Sequence, residues 1–427
     1  MTTATGNGHV VVMGQGYVGL PLAMRAVEVG HRVVGYDIDD RRVSALASGR
    51  SFVEDVTDTD LRRALATARY EPSSDSSSLA GFGIAVITVP TPLRDGSPDL
   101  SFVEQATRAL APHLRPGSTV VLESTTYPGT TEDLIGPMLA ELTGLTPEDE
   151  FNLGFSPERI DPGNAQYPFH RIPKVVSGVG PRSLAAVEAF YGELVDKVVP
   201  VRRPREAELA KLIENTFRHV NIALVNELAM FANDVDIDIW EALDAAASKP
   251  FGFMRFNPGP GVGGHCLPID PSYLSWHLRT IAGRTFRFVE LANDVNDHMP
   301  DYVANRVLLT LNRLGIAASR SSILLLGLTY KRNTSDARES PAIRVAQRLA
   351  DFGSTLAYVD SHISPKDLGP LAAKVRPAQA TPDELHDADL TLLLVDHDDV
   401  DYDVVVDHSG HVLDTRHRCR GAMVEYL

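Results

Sequence analysis

Apolar positions along this chain fall into two regimes: short unbroken runs, and longer stretches where they return every three to four residues. Residues 9–13 form a short run that passes directly into GQGYVGLPLA at 14–23, where helical spacing begins. Further short runs at residues 32–36, 83–89 and 118–123 read as buried strands, each followed by a turn. From residue 206 to about 232 there is no proline or glycine, and Leu209, Leu212, Ile213, Phe217, Val220, Leu224, Val225 and Leu228 recur at helical spacing. That predicts one helix of roughly 40 Å, long enough to bridge two domains. It is apolar over much of its circumference, so it is also expected to pack against another subunit. A second helical region follows. Residues 321–327 then predict a parallel-sheet strand, and Pro341 opens a helix ending at Gly353. More strands are expected at 355–359, 390–395 and 411–413. The C-terminal third therefore repeats the N-terminal layout.

The turn after the first run holds Gly14, Gly16 and Gly19, and Asp37 closes the second strand 23 residues after Gly14. In this strand–turn–helix setting Gly14 makes the tight turn, Gly16 lets a pyrophosphate approach, and Gly19 permits close helix–strand packing. The pyrophosphate then sits on a helix N-terminus. A carboxylate at Asp37 accepts from both ribose hydroxyls and repels a 2′-phosphate, which favours NAD over NADP. Arg42 either covers the adenosine or is a solvated surface group. The turns at 90–92 and 124–129 lie at further strand ends, where ligands of open α/β sheets bind; their hydroxyls are either ligand contacts or ordinary turn and cap chemistry. The candidate cofactor contacts are Gly14, Gly16, Tyr17, Val18, Gly19, Asp37, Arg42, Pro90, Thr91, Ser124 and Thr125. In FSPERIDPGN, at 155–164, Glu158 is a candidate acid/base or water-holding group.

Residues 257–271, NPGPGVGGHCLPIDP, cannot form the interior of a helix or strand, so Cys266 sits on a constrained loop with Asp270 four residues on. The thiol is either a packed small hydrophobe or a nucleophile. On the long helix Lys211, Asn215 and Arg218 share one face, which is either an exposed polar stripe or, through Lys211 and Asn215, an oxyanion-stabilising pair. The first turn of the C-terminal unit lacks the glycine triplet and offers Lys331, Arg332 and Arg338 ahead of a helix, with Arg416 after the last strand. Those cations are either solvent-facing or suited to a phosphorylated ligand.

Composition narrows the classes. The 427 residues are 44% apolar and 22% charged, and the net charge of −16 repels nucleic acid. No apolar run reaches a membrane span, and the N-terminus lacks a signal pattern. Two distant cysteines give neither a disulfide framework nor a metal signature, so no metal is expected and a cytoplasmic location is.

Taken in order, GQGYVGLPLA, TVPTP, ESTTYPGTTE, FSPERIDPGN, EAELAKLIENTFR, NPGPGVGGHCLPIDP and YKRNTSDARESPAI resemble the UDP-glucose/GDP-mannose dehydrogenase family of nucleotide-sugar 6-dehydrogenases, from about His9 to Arg416. The resemblance implies an α/β fold of two Rossmann-like domains joined by a central helical domain with a long helix. It places an NAD domain at 1–202, a dimerising central domain at 203–312 and a nucleotide-sugar domain at 313–427. It implies a four-electron oxidation of a hexose C6 alcohol by two NAD in turn, by a cytoplasmic homodimer. Cys266 would form the thiohemiacetal and thioester, Lys211 and Asn215 would stabilise the oxyanion, and Asp270 and Thr125 would manage the hydrolytic water. Glu158 corresponds to the acid of the SPE motif and Arg338 to a cofactor contact. The implied substrate side comprises Glu158, Arg159, Lys211, Asn215, Asn257, Gly259, Gly263, Lys331, Arg332 and Arg416. Two departures stand out. Pro162 replaces a second glutamate found in many UDP-glucose dehydrogenases, leaving its role vacant or with Asp161. Gly263-Gly-His265-Cys266 and Ile269-Asp270 look more like the branch acting on UDP-N-acetylhexosamines, where His265 either shapes the loop or assists the thiol. The implied substrate is an NDP-hexose of the UDP-glucose or UDP-N-acetylglucosamine class, with dTDP-glucose and a two-electron β-hydroxyacid-type oxidation as the alternatives.

Overall fold

A computed structural model describes residues 8–94, 96–160, 166–264 and 267–427, and the chain divides into two compact units, Met1–Glu214 and Asn215–Leu427. The first unit is built on strands β1 (His9–Met13), β2 (Val33–Tyr36), β3 (Tyr70–Ser73), β4 (Phe82–Ile87), β5 (Thr119–Leu122), β6 (Asn152–Phe155), β7 (Lys174–Gly178) and β8 (Val198–Pro200). Their order is β8-β7-β6-β5-β4-β1-β2-β3, with β1 to β6 all parallel. That inner order, 3-2-1-4-5-6, is the doubly wound arrangement, whose strand order reverses between β1 and β4. Both faces are covered: Val10 and Val12 of β1 join one apolar layer, Val11 and Met13 the other.

β7 reverses direction. It pairs antiparallel with β6 through Gly154↔Gly178 and Phe155↔Ser177. Continuing that register sets its first residue, Lys174, level with the turn that follows β6. The ligand-facing edge of the sheet thus receives a side chain from a strand start as well as from strand ends.

The second unit has its own sheet: β9 (Ser322–Leu326), β10 (Thr355–Val359), β11 (Val375–Pro377), β12 (Leu390–Leu393), β13 (Val412–Asp414) and β14 (Val424–Tyr426). Every pair is parallel and the order β11-β10-β9-β12-β13-β14 again reads 3-2-1-4-5-6. Pro341 occupies the first turn of the helix Pro341–Asp351, as expected. The long helix runs Pro204–Asp234, two residues beyond the expected span at each end, and the division between units falls inside it. Helices Ile239–Ala247, Asp270–Ala282 and Arg287–Arg313 follow; the last packs Ala292 and Val295 against Val220, Ala223 and Met230 of the long helix.

Candidate active site

At the β1 turn Gly14 has φ +91°, and a Cβ there would lie 2.9 Å from the Thr88 carbonyl oxygen. A Cβ on Gly19 would stand 1.9 Å from the Gly14 carbonyl oxygen, so the helix Gly19–Glu28 can pack this close only with glycine. Gly16 differs, because nothing lies within 4 Å of where its Cβ would be. Its missing side chain leaves open space at a helix N-terminus, which suits a pyrophosphate. Asp37 is buried; one carboxylate oxygen accepts from Gln15 N at 2.9 Å and the other from Asp39 N at 3.0 Å. Arg42 Nη1 stands 3.7 Å from that carboxylate, with its guanidinium over the Phe52 ring. Thr91 and Ser124 are buried and Thr125 half-buried, with Ser124 donating to the Val89 carbonyl at 2.7 Å. Tyr17 and Val18 are half-buried on the glycine turn and Pro90 is exposed. The glycine geometry, helix terminus and carboxylate together fit NAD.

The carboxyl ends of β5 and β6 hold a buried polar cluster in the same unit. Glu158 is buried and paired with Lys211 at 3.4 Å. Burial pushes its carboxyl above the usual range, against the pull of Lys211 and Lys174. Lys174 pairs with Glu123 and donates to the Pro157 carbonyl at 3.1 Å; the Tyr191 hydroxyl donates to the other Glu123 oxygen at 2.6 Å. One turn before Lys211, Glu208 accepts from Gly129 N at 2.6 Å, Thr131 N at 2.9 Å and the Thr131 hydroxyl at 2.7 Å, closing the turn that carries Thr125. Burial raises the Glu208 carboxyl to about 7. Sequence reasoning missed Glu123, Lys174, Tyr191 and Glu208. The available signal was a charged residue abutting an apolar strand run, as in VVLE and KVVS. Arg159 is held by Glu214 at 2.7 Å, so its charge is already partnered.

In the second unit Asn215 and Asp270 are both buried, and the Asn215 amide donates to the Asp270 carboxylate at 2.6 Å. Asp270 opens the helix Asp270–Ala282, directly after the cysteine loop. Lys211 and Asn215 are thus buried, which overturns the exposed-stripe reading; Arg218, placed with them by spacing, is exposed. Cys266, His265 and Asp161 lie outside the described residues. The loop before Cys266 is irregular and tightly docked. Gly259 N donates to Asn226 at 3.0 Å, and a Cβ on Gly259 would lie 2.9 Å from Arg416 Nη1. A Cβ on Gly263 would stand 2.7 Å from the Glu339 carbonyl oxygen, and one on Gly264, at φ +84°, 2.6 Å from the Tyr330 ring. Asn257 is exposed and accepts from Arg255 Nε at 2.8 Å.

The structure divides the expected cationic edge. Arg332 pairs with Asp398 and lies 3.7 Å from Asp396, and Arg338 pairs with Asp336 at 2.6 Å. Lys331 is half-buried, and Arg416 donates to the Leu394 carbonyl at 2.7 Å. The turn itself imitates the first one. Gly327 has φ +80°, and Asp360, just past β10, accepts from Leu328 N and Thr329 N at 2.7 and 3.1 Å, as Asp37 does from Gln15. Among the described residues His362, His397 and Asp399 form one group at metal-ligand spacing. His397 accepts from Asn333 N at 3.0 Å and pairs with Asp360 at 3.2 Å, so both its ring nitrogens are engaged. His397 thereby braces the turn through hydrogen bonds.

Comparison with known proteins agrees with this geometry. Residues 8–195 match the NAD binding domain of the UDP-glucose/GDP-mannose dehydrogenase family, 205–298 its central domain and 324–420 its UDP binding domain. A UDP-N-acetyl-D-mannosamine dehydrogenase from Pyrococcus horikoshii is 36% identical over 356 residues, covering 83% of this chain and 84% of the relative. A UDP-N-acetyl-D-glucosamine 6-dehydrogenase from Salmonella typhi is 35% identical over 364 residues, covering 84% and 83%. Among solved structures, a UDP-D-ManNAc dehydrogenase from Pyrococcus horikoshii superposes with a TM-score of 0.87 at 30% identity, covering 98% of each chain. A UDP-glucose dehydrogenase from Pyrobaculum islandicum also reaches 0.87, at 28% identity, covering 98% of this chain and 96% of that one. No helix among the described residues is long and apolar enough to cross a membrane. Two doubly wound sheets, a glycine turn shaped for NAD and three family domains in sequence establish that this chain belongs to the UDP-glucose/GDP-mannose dehydrogenase family.

Proposed function

We propose that this protein oxidises the C6 alcohol of a UDP-N-acetylhexosamine to the carboxylate, consuming two NAD and one water per sugar. When bound, NAD takes up the electrons of each oxidation. In this reading the Cys266 thiolate adds to the C6 aldehyde, because an aldehyde has no second hydride to give until a nucleophile makes it tetrahedral. Lys211 and Asn215 donate to the resulting oxyanion. The second oxidation leaves a thioester on Cys266. Water, held by Asp270 with Thr125, cleaves it to release the uronate and restore the thiol. The observation that carries the reading is the buried Asn215–Asp270 pair, which sets an amide donor against a carboxylate at the first helical residue after the cysteine loop. The names of the relatives favour an N-acetylhexosamine. The equal fit of a UDP-glucose dehydrogenase keeps glucose as the second candidate.

The test is to count NADH formed per sugar consumed across UDP-N-acetylglucosamine, UDP-N-acetylmannosamine, UDP-glucose and dTDP-glucose. Two NADH per sugar with one of these is expected, whereas one per sugar would remove the thioester route. Cys266→Ser is expected to stall before free uronate appears, and normal uronate release by that variant would exclude Cys266 as the nucleophile. We infer in addition that the protein is a homodimer through the long helix, where Ile213, Leu224 and Phe231 are 56%, 53% and 58% exposed.

A further inference from the structure

We propose that Lys174 is a positioning residue for this chemistry, its buried ammonium tying the turn that carries Thr125 to the turn that carries Glu158. The catalytic meaning of that tie rests on the dehydrogenase reading above.

The tie follows from the reversed strand. Because β7 runs antiparallel to β6, Lys174 enters the sheet at its ligand-facing edge. Its Nζ pairs with Glu123, the residue immediately before Ser124 and Thr125, and donates to the carbonyl of Pro157, immediately before Glu158. Nothing about the site lets this ammonium reach water, since Lys174 is 4% exposed and Glu123 fully buried. Tyr191 OH occupies the second Glu123 oxygen, and the Tyr191 and Phe169 rings lie 5.2 and 5.7 Å from Nζ. A buried ion pair is a poor source of stability, because desolvation offsets most of its attraction and apolar residues of similar volume serve as well. Position is what this pair supplies.

It also sets a charge balance around Glu158, which is faced by Lys211 from the long helix, Lys174 from β7 and Glu123 from the end of β5. Two ammonium groups meet two carboxylates. Removing Lys174 leaves the carboxylates in excess, so Glu158 should hold its proton to higher pH. Removing the Glu123 charge should do the reverse.

The experiment compares the wild type with Lys174→Met, Lys174→Arg and Glu123→Gln. The midpoint of Glu158 ionisation is read by carbon-13 NMR of glutamate-labelled protein, with the resonance assigned by Glu158→Gln. Lys174→Met is expected to raise the midpoint by about one unit, Lys174→Arg to restore it, and Glu123→Gln to lower it. Both Lys174→Met and Glu123→Gln should reduce kcat at least tenfold and leave NADH affinity within twofold. General structural damage would move the two midpoints in the same direction. An unmoved midpoint in folded Lys174→Met overturns the assignment. If that variant does not fold, a rise or no change with Glu123→Gln overturns it instead. Absence of NADH from the wild type with every nucleotide sugar defeats the dehydrogenase reading alone, since the midpoints still decide the tie.

Discussion

Three glycines in one turn are equivalent as a pattern and different as physical objects. Gly19 is required by packing, since a Cβ there collides with the Gly14 carbonyl oxygen and, at 2.4 Å, with Thr88 Oγ1. Gly16 borders empty space that a ligand can use. Gly19→Ala should therefore destabilise the first unit by about 1–3 kcal/mol, the usual cost of overpacking, seen as a lower Tm with or without NADH. Gly16→Ala should leave Tm within about a degree and weaken NADH binding at least tenfold, about 1.4 kcal/mol. A titration of NADH fluorescence beside a thermal melt checks both, and a stable, tight-binding Gly16→Ala would refute the pyrophosphate assignment. The same distinction separates Lys211 and Asn215 from Arg218. Spacing placed all three on one helix face, but only burial distinguishes the two polar groups kept from water from the one left in it.

At the level of elements, three of the strands not expected from the sequence share a cause, which β6, β7 and β14 do not have. Of the four edges of the two large sheets, β3, β8 and β11 contain a proline, as YEPS, VVP and VRP. Proline is tolerated at an edge because no ladder hydrogen bond is asked of its nitrogen, and on sequence alone such segments read as turns. The fourth edge, β14, is short and polar and is fixed from outside the sheet. Glu425 accepts from Arg306 and Arg313, each at 2.5 Å, and from Thr310 at 2.9 Å, all on the helix Arg287–Arg313. Burial would raise its carboxyl, but these donors outweigh burial and hold it down at about 2. A depressed carboxyl contributes stability above its unfolded value near 4.5, and that contribution is lost as pH falls through about 2. Glu425→Gln should therefore lower the Tm of the second unit at pH 7 by roughly 2–4 °C, for about 1 kcal/mol after solvent screening. The gap to wild type should narrow as pH drops from 5 toward 2. Melts that run parallel across this range would show that the ion pairs contribute nothing to the docking of β14.

For the molecule as a whole, the proposed homodimer rests on the large apolar groups exposed on the long helix, and the net charge of −16 makes nonspecific association of two such chains unfavourable. Leu224→Glu combined with Phe231→Glu should shift the protein to a monomer in sedimentation equilibrium; an unchanged mass would place the interface elsewhere or remove it. Whatever depends on local order can be read along the chain. The glycine turn with its spaced acid, the 3.6-residue period of the long helix and the proline-opened helix of the second unit are written in adjacent residues, because backbone conformation answers first to neighbours in the chain. The family was legible for the same reason, its motifs being contiguous. Which polar groups meet is set by the folded chain. Glu123, Lys174 and Tyr191 come together from a strand end, a strand start and a helix, and Asn215 finds Asp270 across 55 residues. No local pattern encodes such meetings, because they depend on sheet order, on the reversal of one strand and on which side chains the folded chain keeps from water.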